Sequence, residues 1–327
     1  MNFSEIVKKI PVIEDEVNYW MVRTSGGKFY DQFLSNSKIA MGSDYITPEN
    51  VIKFSAKREE FFKAISPVIQ ANTDSERPGL TASQFYRFYY EIKRNDIVII
   101  PSESSQFLSI GRVVDDKPEA YTFRSDESRQ RCDHVHTRKV DWLTTKSRHA
   151  FNPNFISLLF SHNAIVDAND YKDFVNGVLY DFFIQDNTGH LVINVNTEES
   201  IKAKTLFYLF FELFDLTDDF YSNQLSSNDI NIRINLNSPG KVELISKNLG
   251  KLSLVGMFIV FIAGGNFKCG NFHVGTDGVL KPILQFLSEN AERQSKVDLL
   301  NSALSDLNVK EPKEIVNIIK DIQIAHK

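Results

Sequence analysis

Five short apolar segments constrain the first part of this chain more than any other feature. They are Y19-W-M-V-R23, K38-I-A-M-G42, the run I-V-I-I-P from Ile97 to Pro101, I110-G-R-V113 and V135-H-T-R-K-V-D-W-L143. Each has strand length and is bounded by Gly, Pro, Asn or Asp, residues that turn the chain. Such strands cannot bury an apolar face alone, so they must join one sheet that packs on helices or curls upon itself. Two helical stretches lie between them. One covers Pro48 to Gln70, with Phe54, Phe61, Phe62 and Ile65 as apolar members, and the other runs from Thr81 or Ser83 to Lys93. A partly closed small barrel with helices is the expected architecture of residues 1–148.

The remainder, 149–327, reads as a mixed α+β domain. Asp170–Phe183 and Glu199–Phe214 have helical patterns, L191-V-I-N-V195 is a strand, and N231-I-R-I-N-L-N237 alternates at period two. S238-P-G-K241 then turns into V242-E-L-I-S246. Val279–Ser288 and Arg293–Leu304 read as helices, and Pro312 opens the last one at its first turn. The run L252-S-L-V-G-M-F-I-V-F-I-A-G-G265 is apolar throughout. It falls short of the roughly 20 residues that span a bilayer as a helix. No stable membrane span is expected, and the run reads as a buried element.

Charge is uneven along the chain. Residues 1–150 hold 22 Lys/Arg against 21 Asp/Glu, and 151–327 hold 15 against 21. Only the first half can present a positive face to a phosphate backbone. Met1 to Lys9 mixes both signs with no long apolar run behind it. The two cysteines, Cys132 and Cys269, lie far apart. A cytoplasmic location with reduced thiols is expected.

Familiar catalytic signatures are missing: no H-E-x-x-H, Walker lysine loop, dinucleotide glycine fingerprint or nucleophile elbow occurs. Gly26-Gly27 and Gly264-Gly265 read as turns or close packing. E91-I-K93 has nuclease-like spacing but sits at a helix end. His134 and His136 would share one face of a strand, with no third ligand expected beside them. His190 reads as a hairpin tip, and Cys269 with His273 are two ligands and no site. No metal, cofactor or catalytic set is expected.

Five stretches in order carry a family resemblance: Y19-W-M-V-R23 with its glycine turn, K38-I-A-M-G42, F-Y-R-F-Y-Y-E-I-K-R-N-D-I-V-I-I-P from Phe85 to Pro101, I110-G-R-V113 and H136-T-R-K-V-D-W-L143. In this order the elements resemble the N-terminal domain of Mrr-type restriction proteins. The order is also similar to the wider group of EVE/PUA-like small barrels. That resemblance covers about residues 15–145 and implies a reader of RNA or of flipped, modified DNA bases. Carried to this chain, it implies a base or ligand pocket from Trp20, Arg23, Thr24, Ser25, Phe29, Tyr30, Ile39, Met41 and Trp142. A flipped base needs one apolar face and a few directed polar groups. Arg87, Arg112, Arg138 and Lys139 are the candidates for phosphate contact. The core alternative stands beside each aromatic, since small barrels need large residues inside.

Two accounts of the whole follow. In the first, a non-enzymatic sensor binds modified DNA or a nucleotide, in antiphage defence by the resemblance. Its C-terminal domain then engages a partner protein or a second copy. In the second, the chain is a metal-dependent, restriction-like nuclease with an atypical C-terminal site built from Asp181, Asp186, Glu198, Glu243 and Lys247. Contact of the 252–265 run with a bilayer is a third account.

Overall fold

The computed structural model describes residues 4–42, 45–73, 77–123, 132–151, 153–197, 199–221, 229–235, 240–264 and 280–325. The chain forms two compact units, Glu16–Leu179 and Met1–Asp15 with Tyr180–Lys327. The break falls after Leu179, later than the 148/149 boundary expected from sequence. The cause is a strand past Phe151 that returns to the first sheet.

Helix α1 (Ser4–Val7) belongs to the second unit, and β1 (Tyr19–Val22) opens the first. The first unit continues through α2 (Tyr30–Ser35), β2 (Lys38–Met41), α3 (Pro48–Ile52), α4 (Arg58–Asn72) and α5 (Pro78–Tyr86). It then adds β3 (Ile97–Pro101), β4 (Phe107–Val113), β5 (Glu119–Ala120), β6 (His136–Ser147), β7 (Ile165–Asp167) and α6 (Lys172–Leu179). The sheet runs β2-β6-β4-β3-β1-β7, with β5 on β6. β1 and β3 are parallel; the other pairs are antiparallel. The result is an open half-barrel with helices, an α+β fold, and not a closed barrel.

All four residues of β1 are buried, because the strand has a core on each face. Trp20 and Val22 join a cluster with Phe33, Phe61, Phe85 and Phe88. Tyr19 and Met21 point the other way, into a cluster with Ile97, Ile99, Phe151 and Phe155. Sequence alternation therefore separates two cores instead of a core from solvent. The glycine pair after β1 is structural. Gly27 has φ +98°, and a Cβ there would lie 2.2 Å from the backbone nitrogen of Glu103. In β4, Gly111 sits at a register shift, and a side chain would strike Val140 and Trp142.

Helix α5 passes into a π-helical turn at Arg87–Glu91. Where this turn ends, Arg138 of β6 donates to the carbonyls of Phe88 (3.2 Å) and Ile92 (2.7 Å). The same helix covers the β7 edge: Gln84 Oε1 accepts from Ile165 N (2.6 Å), and Arg87 donates to Ile165 O (3.0 Å). An edge strand left bare would invite pairing with another chain, so these bonds protect it.

The second unit has the sheet β10 (Asn231–Asn235), β11 (Gly240–Ser246), β9 (Thr188–Val195), β8 (Phe182–Gln185), antiparallel throughout. Residues 182–183, expected to end a helix, instead begin β8. His190 lies within β9 opposite Phe183, and the hairpin tip is Asp186-Asn187, both at positive φ. Five helices pack with this sheet and α1: α7 (Ala203–Phe220), α8 (Leu249–Ala263), α9 (Leu280–Ser288), α10 (Ala291–Asp306) and α11 (Lys313–Ala325). The apolar run is α8, with Lys251 to Ile262 all buried. At about 1.5 Å per residue it is near 22 Å long, a core helix. Among the described residues, no helix is long and apolar enough to cross a membrane. Gly265, Cys269 and His273 lie outside the described residues, as do Pro239 and Glu198.

Candidate functional site

The two edges of the half-barrel do not pair with each other, and a cavity of about 870 Å³ opens where both approach α5. From the exit of β1 come Arg23, Ser25 and Gly26, and from the end of β2 come Ala40, Met41 and Gly42. Helix α5 adds Leu80, Thr81, Gln84 and Phe85, while Tyr45 and Thr73 complete the helical side. His134 leads into β6, and Ser161 to Ala164 lead into β7. The lining is a mixture of apolar surface, two aromatic rings and short polar groups, the composition of a small-molecule pocket.

Three of the nine expected pocket residues line this cavity: Arg23, Ser25 and Met41. The other six do not. Trp20 is buried in the core, where its indole donates to Asp96 Oδ2 (2.8 Å). Asp96, itself buried, also accepts from Asn18 N and Lys93 N, so the tryptophan completes a carboxylate's shell. Thr24 Oγ1 donates to the Pro101 carbonyl (2.6 Å), and Tyr30 shares a hydroxyl chain with Ser109 and Thr145. Phe29 and Ile39 are core, and half-buried Trp142 donates to Phe33 O at 3.4 Å.

The expected phosphate contacts also divide. Arg138 is 0% exposed: its Nε donates to Asp115 Oδ1 (2.8 Å), its Nη2 to Asp115 O (2.9 Å) and its Nη1 to the π-turn carbonyls. It cannot reach a phosphate, contrary to the sequence expectation, and its role is structural. Arg87 is tied to Ile165 O and lies 3.6 Å from Glu91. Arg112 is half-buried on β4, and only Lys139 is exposed, 3.2 Å from Glu119. Arg23 donates to the carbonyls of Leu159 and Ser161, which ties the β1 exit to the strand-lead of β7.

At His134 the cavity borders a group that the sequence pattern did not assemble. Cys132, Asp133 and His134 place one donor atom each within 4.8 Å of one another. Among the described residues they are the one group of three such side chains this close. Asp133 is exposed, His134 half-buried and Cys132 buried. Gln32 Oε1 accepts from the Cys132 backbone nitrogen (2.8 Å), and the His134 ring meets Phe29 edge to face at 5.2 Å. Burial pushes the Cys132 thiol up to about 12, with the Asp133 charge adding and a His134 backbone hydrogen bond opposing. Burial likewise lowers His134, against the Asp133 charge and a hydrogen bond at Gly42 that raise it. Both groups are therefore neutral near pH 7.

His136, expected to pair with His134, is buried and bonded through Nδ1 to the Tyr89 hydroxyl (2.5 Å). The group around His134 is contiguous in the sequence, as C132-D-H134.

In the second unit, two of the carboxylates weighed for an active site, Asp181 and Glu243, have structural partners. Asp181 accepts from Asn194 Nδ2 (2.8 Å) and Lys313 N (3.1 Å). Glu243 accepts from His190 Nδ1 (2.7 Å) and Arg233 (3.1 Å).

The family described as Domain of unknown function (DUF8426) matches residues 20–165. That span runs from β1 to β7 and contains every cavity-lining residue and the Cys-Asp-His group. No curated protein and no solved structure matches the chain.

Proposed function

We propose that this chain carries out metal-dependent hydrolysis on a small, flat ligand held in the cavity of the first unit. The observation behind it is one residue with two memberships: His134 lines the cavity and belongs to the group of converging metal-type donors. A pocket next to such donors is the arrangement in which a cation can polarise a bound ligand or lower the pKa of a water. The site differs in place from the C-terminal one expected from sequence, because Asp181 and Glu243 are already engaged.

The substrate class proposed is a nucleotide, or a base of a nucleic acid. Tyr45 and Phe85 offer rings, Met41 and Leu80 apolar surface, and Gln84 and Asn163 amide groups to an edge. The volume of about 870 Å³ lies within the roughly 300–1,000 Å³ of ligand pockets.

The cavity lining favours a second reading, in which the half-barrel is an EVE/PUA-like reader that binds a modified base and leaves it intact. One experiment separates the two. The full chain is incubated with nucleoside triphosphates and with short duplexes carrying cytosine or 5-methylcytosine, with divalent cations or with chelator. The hydrolase reading expects a cleaved product that chelator abolishes. Absence of product under every cation, with selective binding of the modified duplex, refutes it and supports the reader.

A further inference from the structure

Three metal-type donors converge at His134. Among the described residues, its buried Nδ1 has no hydrogen bond, and it lies 3.3 Å from Asp133 Oδ1. A neutral imidazole carries its proton on one ring nitrogen only; with it on Nε2, Nδ1 presents a lone pair. A lone pair and a carboxylate oxygen then face each other at 3.3 Å, an arrangement that repels unless a positive centre lies between them. The third donor is Cys132 Sγ, within 4.8 Å of the other two.

We propose that Cys132 Sγ, an Asp133 carboxylate oxygen and His134 Nδ1 bind one zinc-class divalent cation. This deepens the metal-dependent reading by naming its ion. The donor set decides the class. Sulfur and imidazole suit zinc and its borderline-soft neighbours, whereas magnesium and calcium take oxygen. Cys132 binds as thiolate, so its proton passes to solvent as the sulfur–metal bond forms. Three protein donors leave the fourth tetrahedral position for water or ligand. The contact between Cys132 N and Gln32, and the edge contact of His134 on Phe29, hold two of the donors in place before any ion arrives.

The test uses the full chain, stripped with chelator and dialysed, then titrated with zinc, cobalt(II) or magnesium. Metal content is measured after a second dialysis, and cobalt is followed by its absorption spectrum. Expected are one zinc retained per chain, no displacement by excess magnesium, and a sulfur-to-cobalt charge-transfer band absent from Cys132→Ser. Asp133→Asn changes an exposed side chain, so the fold survives; it and His134→Gln weaken zinc by at least about tenfold. Zinc lost on dialysis, displaced by magnesium, or retained equally by all three variants overturns the site. Zinc retained at the triplet without hydrolysis supports the site and ends the hydrolase reading. Hydrolysis supported by magnesium with no zinc uptake ends the site and leaves that reading standing.

Discussion

Replacing Arg138 by Ala tests the claim that this arginine holds the first unit together and touches no ligand. The guanidinium is fully buried and donates to four acceptors: Asp115 Oδ1, Asp115 O, Phe88 O and Ile92 O. Truncation leaves the Asp115 carboxylate, only 13% exposed, without its cation, and the two π-turn carbonyls without this donor. Breaking a buried pair by removing one partner costs about 3–5 kcal/mol. At about 4 kcal/mol, the folded-to-unfolded ratio of the unit falls roughly a thousandfold. With a denaturant slope of about 2 kcal/mol per molar urea, the midpoint drops by about 2 M. Both tryptophans of the chain, Trp20 and Trp142, lie in this unit, so their fluorescence in a urea titration reports it selectively. Arg138→Lys keeps the charge but not the planar fork, and falls between the two. A midpoint shift below about 0.3 M for Arg138→Ala would refute the structural role. So would weakened nucleic-acid binding at unchanged stability.

Two further outcomes follow from the same contacts. Trp20→Phe keeps the ring in the core but removes the bond to buried Asp96, costing about 2 kcal/mol in a urea titration followed by Trp142 fluorescence. Loss of ligand affinity without loss of stability would return Trp20 to the cavity wall. Glu314 in α11 accepts from Asp181 N (2.9 Å) and Phe182 N (3.1 Å). Burial first, and the Asp181 charge after it, raise its carboxyl above the ordinary range, against those hydrogen bonds. Its contribution is therefore full below the ordinary carboxylate range and is lost as pH rises through the raised value. Glu314→Gln keeps an acceptor oxygen and removes that loss, so stability declines less from about pH 4 to 7. Hydrogen exchange at the Phe182 amide across that range checks it, and an unchanged or steeper decline refutes it.

Much of the fold was legible because local rules and tertiary demands agree. Ile97–Pro101 is a strand in both sequence and structure, since a β-branched run between Asn95-Asp96 and Ser102 has few other uses. Leu252 onward could be read as buried because apolar residues occur on every side of that helix. The end of the Asp170–Phe183 pattern was misread because Phe182 and Phe183 suit either a buried helix or a central strand. The site was less legible. Arg23, Ser25 and Met41 reach the cavity, yet Trp20, three residues before Arg23, does not.

The sequence by itself determined that residues near 19–147 form one sheet with helices, that α8 is core, and that no familiar catalytic motif is present. These properties depend on short-range periodicity, turn chemistry and composition. Only the tertiary structure decided which face of β1 meets which core, and that Asp115 and two π-turn carbonyls claim Arg138. It also decided that the edges of an open half-barrel, far apart in sequence, meet at one cavity beside Cys132, Asp133 and His134. Donor directions and partner choice depend on contacts between distant segments, and no local pattern along a chain encodes them.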